Sequence, residues 1–239
     1  DTNPLIMIQL SNVSKSYKAN TALENLNLEV ATGEIYALLG SNGAGKTTTI
    51  NLLLGFLEPT SGEVKLDGIT PYTERKAISN RVAYIPENVS LYPYLSGVEN
   101  LDYFCSLAGI KKAKEELIDI LSQCGLQEDF HRKKVAEYSK GMRQKVGIAI
   151  AYAKKSKVLL LDEPASGLDP SASNELTALL KKLAGEGSCV LMASHDLFRV
   201  RETATRIGIL KHGTLVEELD ASKVSANTLE ELYLQYMKN

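Results

Sequence analysis

The chain has 239 residues, 44% hydrophobic and 23% charged, enough for one large α/β domain or a core carrying a subdomain. Its 27 basic and 29 acidic residues give a formal charge of -2, which argues against the basic face that nucleic acid would demand. Cys105, Cys124 and Cys189 are scattered without a C-x-x-C pair, and His131, His195 and His212 form no ligand cluster, so neither a disulfide framework nor a structural zinc site is expected.

No apolar run approaches the roughly 18 residues of a membrane span, and no signal peptide opens the sequence. The expected compartment is the cytoplasm, with any membrane association made through a partner. Residues 1–6 precede Met7, a plausible native start, and are given no function. Met7 to Val13 and Asn25 to Val30 alternate like strands, with Leu26, Leu28 and Val30 on one face. Between them lies the polar stretch Ser14–Asn20. Its aromatic, Tyr17, either stacks on a purine ring or packs at a strand end, and position alone leaves both open.

The apolar run Glu34–Leu39 leads into Gly40-Ser41-Asn42-Gly43-Ala44-Gly45-Lys46-Thr47-Thr48 and then into Thr49–Leu54. Glycines at a strand-to-helix turn let backbone N–H groups wrap a polyphosphate above a helix N-terminus. Lys46 adds a cation for the terminal phosphates, and the Thr47 hydroxyl is placed to ligate Mg²⁺. A turn at residues 58–62, a strand from Glu63 to Asp67 and another over 82–85, before Pro86-Glu87-Asn88, come next. From about residue 96 to 135 the periodicity becomes helical and β-branched runs disappear, which predicts a helical insertion in an α/β core.

Ser139 is placed to cap a helix reaching about Ala153. The unbroken apolar run Val158–Leu161 then predicts a central parallel strand, ending in Asp162 and Glu163. Ligands gather at the carboxyl ends of such strands. Following a phosphate loop in the same chain, Asp162 is read as an outer-sphere Mg²⁺ partner and Glu163 as the group that polarises the attacking water. Ser166-Gly167-Leu168-Asp169-Pro170 opens a helix over about 171–186, and Val190–Ala193 is a further buried strand. His195, directly after it, shares a sheet edge with the two carboxylates and could reach a γ-phosphate. Residues 206–211 and 214–218 form a hairpin about His212-Gly213, and Asn227–Lys238 a terminal helix.

Taken in order, GSNGAGKTT, YSKGMRQK, LLLDEP, SGLD and SHD resemble the nucleotide-binding subunit of an ATP-binding cassette (ABC) transporter from Met7 onward. The resemblance implies an α/β P-loop NTPase: a RecA-like core with a mainly parallel sheet, N-terminal antiparallel strands and an inserted helical subdomain. The expected division is a core of residues 1–86 and 136–219, a helical subdomain at 87–135 and a C-terminal helix at 220–239. It also implies an ATPase that acts as a homodimer beside a membrane permease, peripheral on the inner face of the membrane. ATP would lie at the dimer interface, with residues 41–48 of one copy facing Ser139 and Gly141 of the other. Tyr17 matches the adenine-stacking aromatic, His195 the switch histidine, and Asp169 the loop that crosses the interface. Mg²⁺ would be met by Thr47, Asp162 and Glu87.

Three positions depart from the commoner pattern. Glu87 stands where most members have Gln, in the loop facing the membrane subunit. Lys140 replaces a Gly of the signature and Met142 a Gln, which leaves the Ser139 and Gly141 contacts intact but puts the polar contact on the ribose side in doubt. These features are similar to ATPases of ABC-2 type exporters. Within that branch, Ala83–Leu101 and Tyr138–Lys145 are most similar to Nos-type copper-processing systems that serve nitrous oxide reductase maturation. No Met or His cluster could hold copper, so cargo specificity would lie in partner chains. Competing readings are a nucleotide-gated switch without productive hydrolysis, which the presence of Glu163 and His195 argues against, and an ATPase acting on nucleic acid. For the latter, the span from Thr48 to Tyr138 lacks the heptads of DNA-repair relatives, and one cassette stands where ribosome-acting relatives carry two.

Overall fold

The computed structural model describes residues 5–18 and 20–238; residues 1–4, Ala19 and Asn239, which fall in the expected 1–86 and 220–239 segments, lie outside the described residues. Strand β1 (Ile6–Tyr17) pairs antiparallel with β2 (Asn20–Ala31), from Ile6 opposite Ala31 to Tyr17 opposite Asn20. Both strands outrun the limits that alternation predicts. Positive-φ Asn12 and Asn25 and register shifts between Leu10 and Lys15 break the period-2 pattern without ending the pairing.

Next come β3 (Ile35–Leu39), α1 (Lys46–Leu53) and β4 (Ser61–Leu66), the last pairing with the other side of β1. After α2 (Arg75–Ser79) and β5 (Val82–Ile85) follow α3 (Gly97–Leu107), α4 (Lys114–Gln123) and α5 (Glu128–His131), in the stretch where helices were expected. The first of these starts at a capping box: Ser96 Oγ accepts from Glu99 N at 3.2 Å while Glu99 Oε2 accepts from Ser96 N at 2.7 Å. The order ends with α6 (Lys140–Ala153), β6 (Val158–Asp162), α7 (Pro170–Gly185), β7 (Cys189–Ser194), α8 (Leu197–Thr203), β8 (Arg206–Lys211), β9 (Thr214–Asp220) and α9 (Ala226–Lys238).

The strands form an antiparallel sheet of order β2-β1-β4 and a larger sheet of order β5-β6-β7-β3-β8-β9, parallel except for β9. Strands β3 and β7 are buried along their whole length, and β6 is buried up to Asp162. Alternation divides their side chains between two cores. Tyr36, Leu38, Val158 and Leu160 pack with Ile50 of α1 and with Leu26 and Val64 of the antiparallel sheet. Ile35, Ala37, Leu39, Leu159 and Leu161 pack with Leu101, Leu117, Val146 and Leu180 from α3, α4, α6 and α7. Each fully buried leucine contributes roughly 1.5–3 kcal/mol. This two-sided burial fixes the register that matters for chemistry: Leu39 lies beside Ser194, and Asp162 beside Ala193. The carboxyl ends of β3, β6 and β7 therefore open at one edge.

Candidate functional site

The loop between β3 and α1 curls because its glycines allow it. Gly43 and Gly45 have φ of 81° and 111°. A Cβ on Gly45 would lie 2.7 Å from the Ala22 carbonyl oxygen, and one on Gly40 only 2.6 Å from that of Leu210. The loop thus packs backbone-to-backbone on its surroundings, leaving its inner side as a cradle over the N-terminus of α1, whose first N–H groups have no intrahelical partner. Below it, the turn between β8 and β9 acts as a prop: Gly213 N donates to Ala44 O at 2.8 Å, and Glu24 N donates to Gly213 O at 2.9 Å.

Lys46 is 6% exposed, and its ammonium is folded back on the loop, donating to Gly40 O at 2.6 Å and Ser41 O at 3.2 Å. It also lies 3.6 Å from Glu163 Oε1. A buried cation held partly by carbonyl oxygens is poised for an anion. The cavity beside it, about 620 Å³, is bordered by Tyr17, the loop, Glu87, Asp162 and Glu163. That volume, the glycine cradle and the cation fit a nucleoside triphosphate. Tyr17 borders the cavity at the end of β1 with 43% of its surface exposed, which suits a stacking platform.

Strand β6 delivers the acidic pair. Asp162 Oδ2 is 3.5 Å from Thr47 Oγ1, which brings together the hydroxyl that would ligate Mg²⁺ and its outer-sphere carboxylate partner. Burial, then the neighbouring Glu163, push the Asp162 carboxyl above its usual range, while Lys46 and Thr47 pull it down. Among the described residues no group of three or more His, Cys, Asp and Glu side chains forms a metal cage. Thr47 and Asp162 could help hold Mg²⁺ only with phosphate oxygens and water completing its shell, as Mg²⁺ commonly requires.

Glu163 turns away from the strand with φ of 46°, its N–H donating to Ala193 O at 2.9 Å. Its Oε2 accepts from Ser194 Oγ at 3.1 Å and from His195 N at 3.3 Å, and Oε1 meets His195 Nδ1 at 2.8 Å. A non-glycine residue in the left-handed region costs energy and persists where its surroundings hold it, which Ser194 and His195 do here. His195 thus joins the site through Glu163. Glu87 Oε1 accepts from Ser166 Oγ at 2.8 Å and from Lys140 Nζ at 3.3 Å. These two partners hold its carboxyl below the ordinary range, the serine contact first.

The structure gathers Tyr17, Ser41, Asn42, Gly43, Gly45, Lys46, Thr47, Thr48, Glu87, Asp162 and Glu163 round one cavity, with Ala44 buried beneath. Ser139 and Gly141 are not among its lining residues. Ser139 caps α6 by accepting from Met142 N at 3.2 Å, and it borders a separate groove of about 260 Å³ with Met142 and Asp169. Asp169 caps α7 there, accepting from Ala172 N at 2.9 Å. Another cavity, of about 510 Å³, lies at the opposite, amino-terminal ends of β6 and β7 near Ser156 and Ser188 and holds none of the motif residues.

Sequence reasoning missed several groups. Ser194 and Ser166 hold the Glu163 and Glu87 carboxylates, and a hydroxyl next to charged residues at a strand end is the local signal for such a role. Asn20, Thr21, Ala22 and His212 also border the phosphate cavity. They arrive from a hairpin and a turn whose approach to the loop is set by tertiary packing, and no local pattern announces it.

A family model described as ABC transporter matches residues 23–166. Among curated proteins, the chain is 37% identical to the bacitracin transport ATP-binding protein BcrA of Bacillus licheniformis, over 89% of this chain and 69% of that one. It is 33% identical to the lantibiotic transport ATP-binding protein SrtF of Streptococcus pyogenes, over 95% and 96% of the two chains. Among solved structures, an ATP-binding subunit of an ABC transporter superposes with a TM-score of 0.83 at 30% identity, covering 96% of this chain and 98% of the other. A dimeric ATP-binding cassette in a post-hydrolysis state, bound to ADP and Pi, gives 0.79 at 29% identity over 90% and 99%.

Proposed function

The chain belongs to the ABC transporter family as an ATP-binding subunit, an ATPase, and from that premise we propose that it powers export through a separate membrane permease. One observation carries the chemistry. Lys46, Asp162, Glu163 and, through Glu163, His195 converge at the carboxyl edge of one sheet, beside a cradle shaped by Gly40 and Gly45.

In the proposed cycle, the loop amides and Lys46 bind the phosphates, Lys46 exchanging its carbonyl contacts for phosphate oxygens. Mg²⁺, met by Thr47 and Asp162, would supply charge neutralisation. Glu163 orients and polarises the attacking water, its carboxylate held by Ser194 and His195. Positioning and fixed charge account for most of the expected rate gain. Ser139 borders another groove and neither it nor Gly141 lines the phosphate cavity, which supports the reading that the two serve a nucleotide held by a second copy. We further propose that Tyr17 stacks on the base, that residues 87–135 act as a helical subdomain of the 1–86 and 136–219 core, and that 220–239 forms a C-terminal unit. Among the described residues no helix is long and apolar enough to cross a membrane, so the permease would provide the attachment at the inner face.

The names of the relatives favour export of peptide antibiotics as the cargo class. The narrower copper-processing reading rests on the resemblance of Ala83–Leu101 and Tyr138–Lys145, and the relatives named here do not support it. The test of the activity is phosphate release by the purified chain against Lys46→Ala and Glu163→Gln. Release that neither substitution alters would sink the proposed site and favour a contaminant or a nucleotide-gated switch.

A further inference from the structure

Two of the sequence departures meet in space. Lys140, at the start of α6, and Glu87, in the loop after β5, form an ion pair at 3.3 Å, with side chains 22% and 46% exposed. Ser166, in the loop after β6, donates to the same Glu87 oxygen at 2.8 Å. The Lys140 ammonium lies close over Gly167, 3.6 Å from where a Cβ would stand. Gln144, one turn along α6, donates to the backbone oxygen of Glu87 at 3.0 Å. Side chain and backbone of Glu87 are thus both held by the signature helix.

The two charges also complement each other beside the cavity. Glu87 borders the same cavity as Asp162 and Glu163 and is among the charges that raise the Asp162 carboxyl. A third carboxylate there, with Lys46 the only Lys or Arg among the described residues that line the cavity, would leave it short of positive charge for a polyphosphate; Lys140, paired with Glu87, offsets the added charge. Conversely, Lys140 opposite a neutral side chain would lack its counter-ion.

We propose that Lys140 is a positioning residue that acts through Glu87. Before nucleotide binds, the pair and Ser166 tie the signature helix to the two loops after β5 and β6 within one chain, and keep the Glu87 carboxylate from the metal position. The proposal rests on the ATP-binding reading and assigns Glu87 a different first partner from the Mg²⁺ contact that the resemblance implies.

The test is a cycle of parent, Lys140→Ala, Glu87→Gln and the double variant. The first readout is the Mg²⁺ dependence of binding of a fluorescent trinitrophenyl analogue of ATP. Lys140→Ala should lower the half-saturating Mg²⁺ about threefold by freeing Glu87, within what a half-exposed pair controls. The same substitution should have no effect in the Glu87→Gln background, and Lys140→Arg should retain most of the parent behaviour. The second readout is the thermal midpoint without nucleotide, where Lys140→Ala should cost about 1–3 °C beside Glu87 and clearly less beside the neutral side chain. Equal effects of Lys140→Ala in both backgrounds, or none in either, overturn the proposal. If the analogue fails to bind even the parent, the ATP-binding reading falls, and the thermal cycle still decides whether the pair exists.

Discussion

At the scale of single residues, Glu163 shows how the carboxylate proposed to polarise the attacking water is aimed. Its left-handed backbone turns it out of β6, and Ser194 and His195 hold both oxygens. Glu163→Gln should bind ATP as tightly as the parent yet lower turnover by roughly two to four orders of magnitude, the span of positioned acid–base groups. Nucleotide affinity and single-turnover phosphate release, measured together, check that split. Ser194→Ala removes one of the groups holding the carboxylate and should lower kcat about 2–10-fold with KM little changed, a lost hydrogen bond being worth about 0.5–1.5 kcal/mol. An effect confined to KM would place Ser194 in binding instead. The convergence of Glu163, Asp162 and Lys46 was legible in the sequence, because motif spacing and a strand-to-helix context place them at strand ends of one sheet edge. Ser194, Ser166 and His212 were not legible as site residues, because their roles come from partners 31, 79 and, through Gly213, more than a hundred positions away.

At the scale of elements, local chemistry was easy to read where it was strong. Ser139 and Asp169 cap α6 and α7 as their residue types predict, and the apolar runs at β3, β6 and β7 are buried strands. The ends of β1 and β2 were harder, since bulges at Asn12 and Asn25 disguise strand as polar connection. Asp169→Ala should reduce stability by about 0.5–2 kcal/mol, read as a lower urea midpoint at unchanged slope. Gly213→Ala should be worse for function than for fold. Its φ is 82° and its Cβ would meet the Ala22 carbonyl oxygen at 2.6 Å, displacing the prop under Ala44. A weaker affinity for ATP with a cooperative unfolding transition preserved is the expected pair of results.

At the scale of the whole molecule, the two cores on either face of the parallel sheet account for the fate of the thiols. Cys105, Cys124 and Cys189 are all free and buried, and burial raises each thiol, that of Cys124 to about 12. A raised thiol is protonated and unreactive near neutrality. Native protein should therefore resist iodoacetamide at pH 8, and all three sites should react once guanidine is added. Rapid labelling of the native chain would show that the layers open more readily than their packing implies. The order of strands in that sheet could not be read from the chain, because β3 is paired by segments far downstream whose contacts leave no local trace.

That pairing has a temporal side. Strand β3 is made early, yet the neighbours that clasp it, β7 and β8, and the Gly213 that steadies the loop, are translated more than a hundred and fifty residues later. A growing polypeptide on the ribosome can close the hairpin of β1 and β2 by itself, but both backbone edges of β3 stay without their strand partners until β7 and β8 emerge. The sheet that presents the phosphate loop is therefore completed late, by strands from the last quarter of the chain.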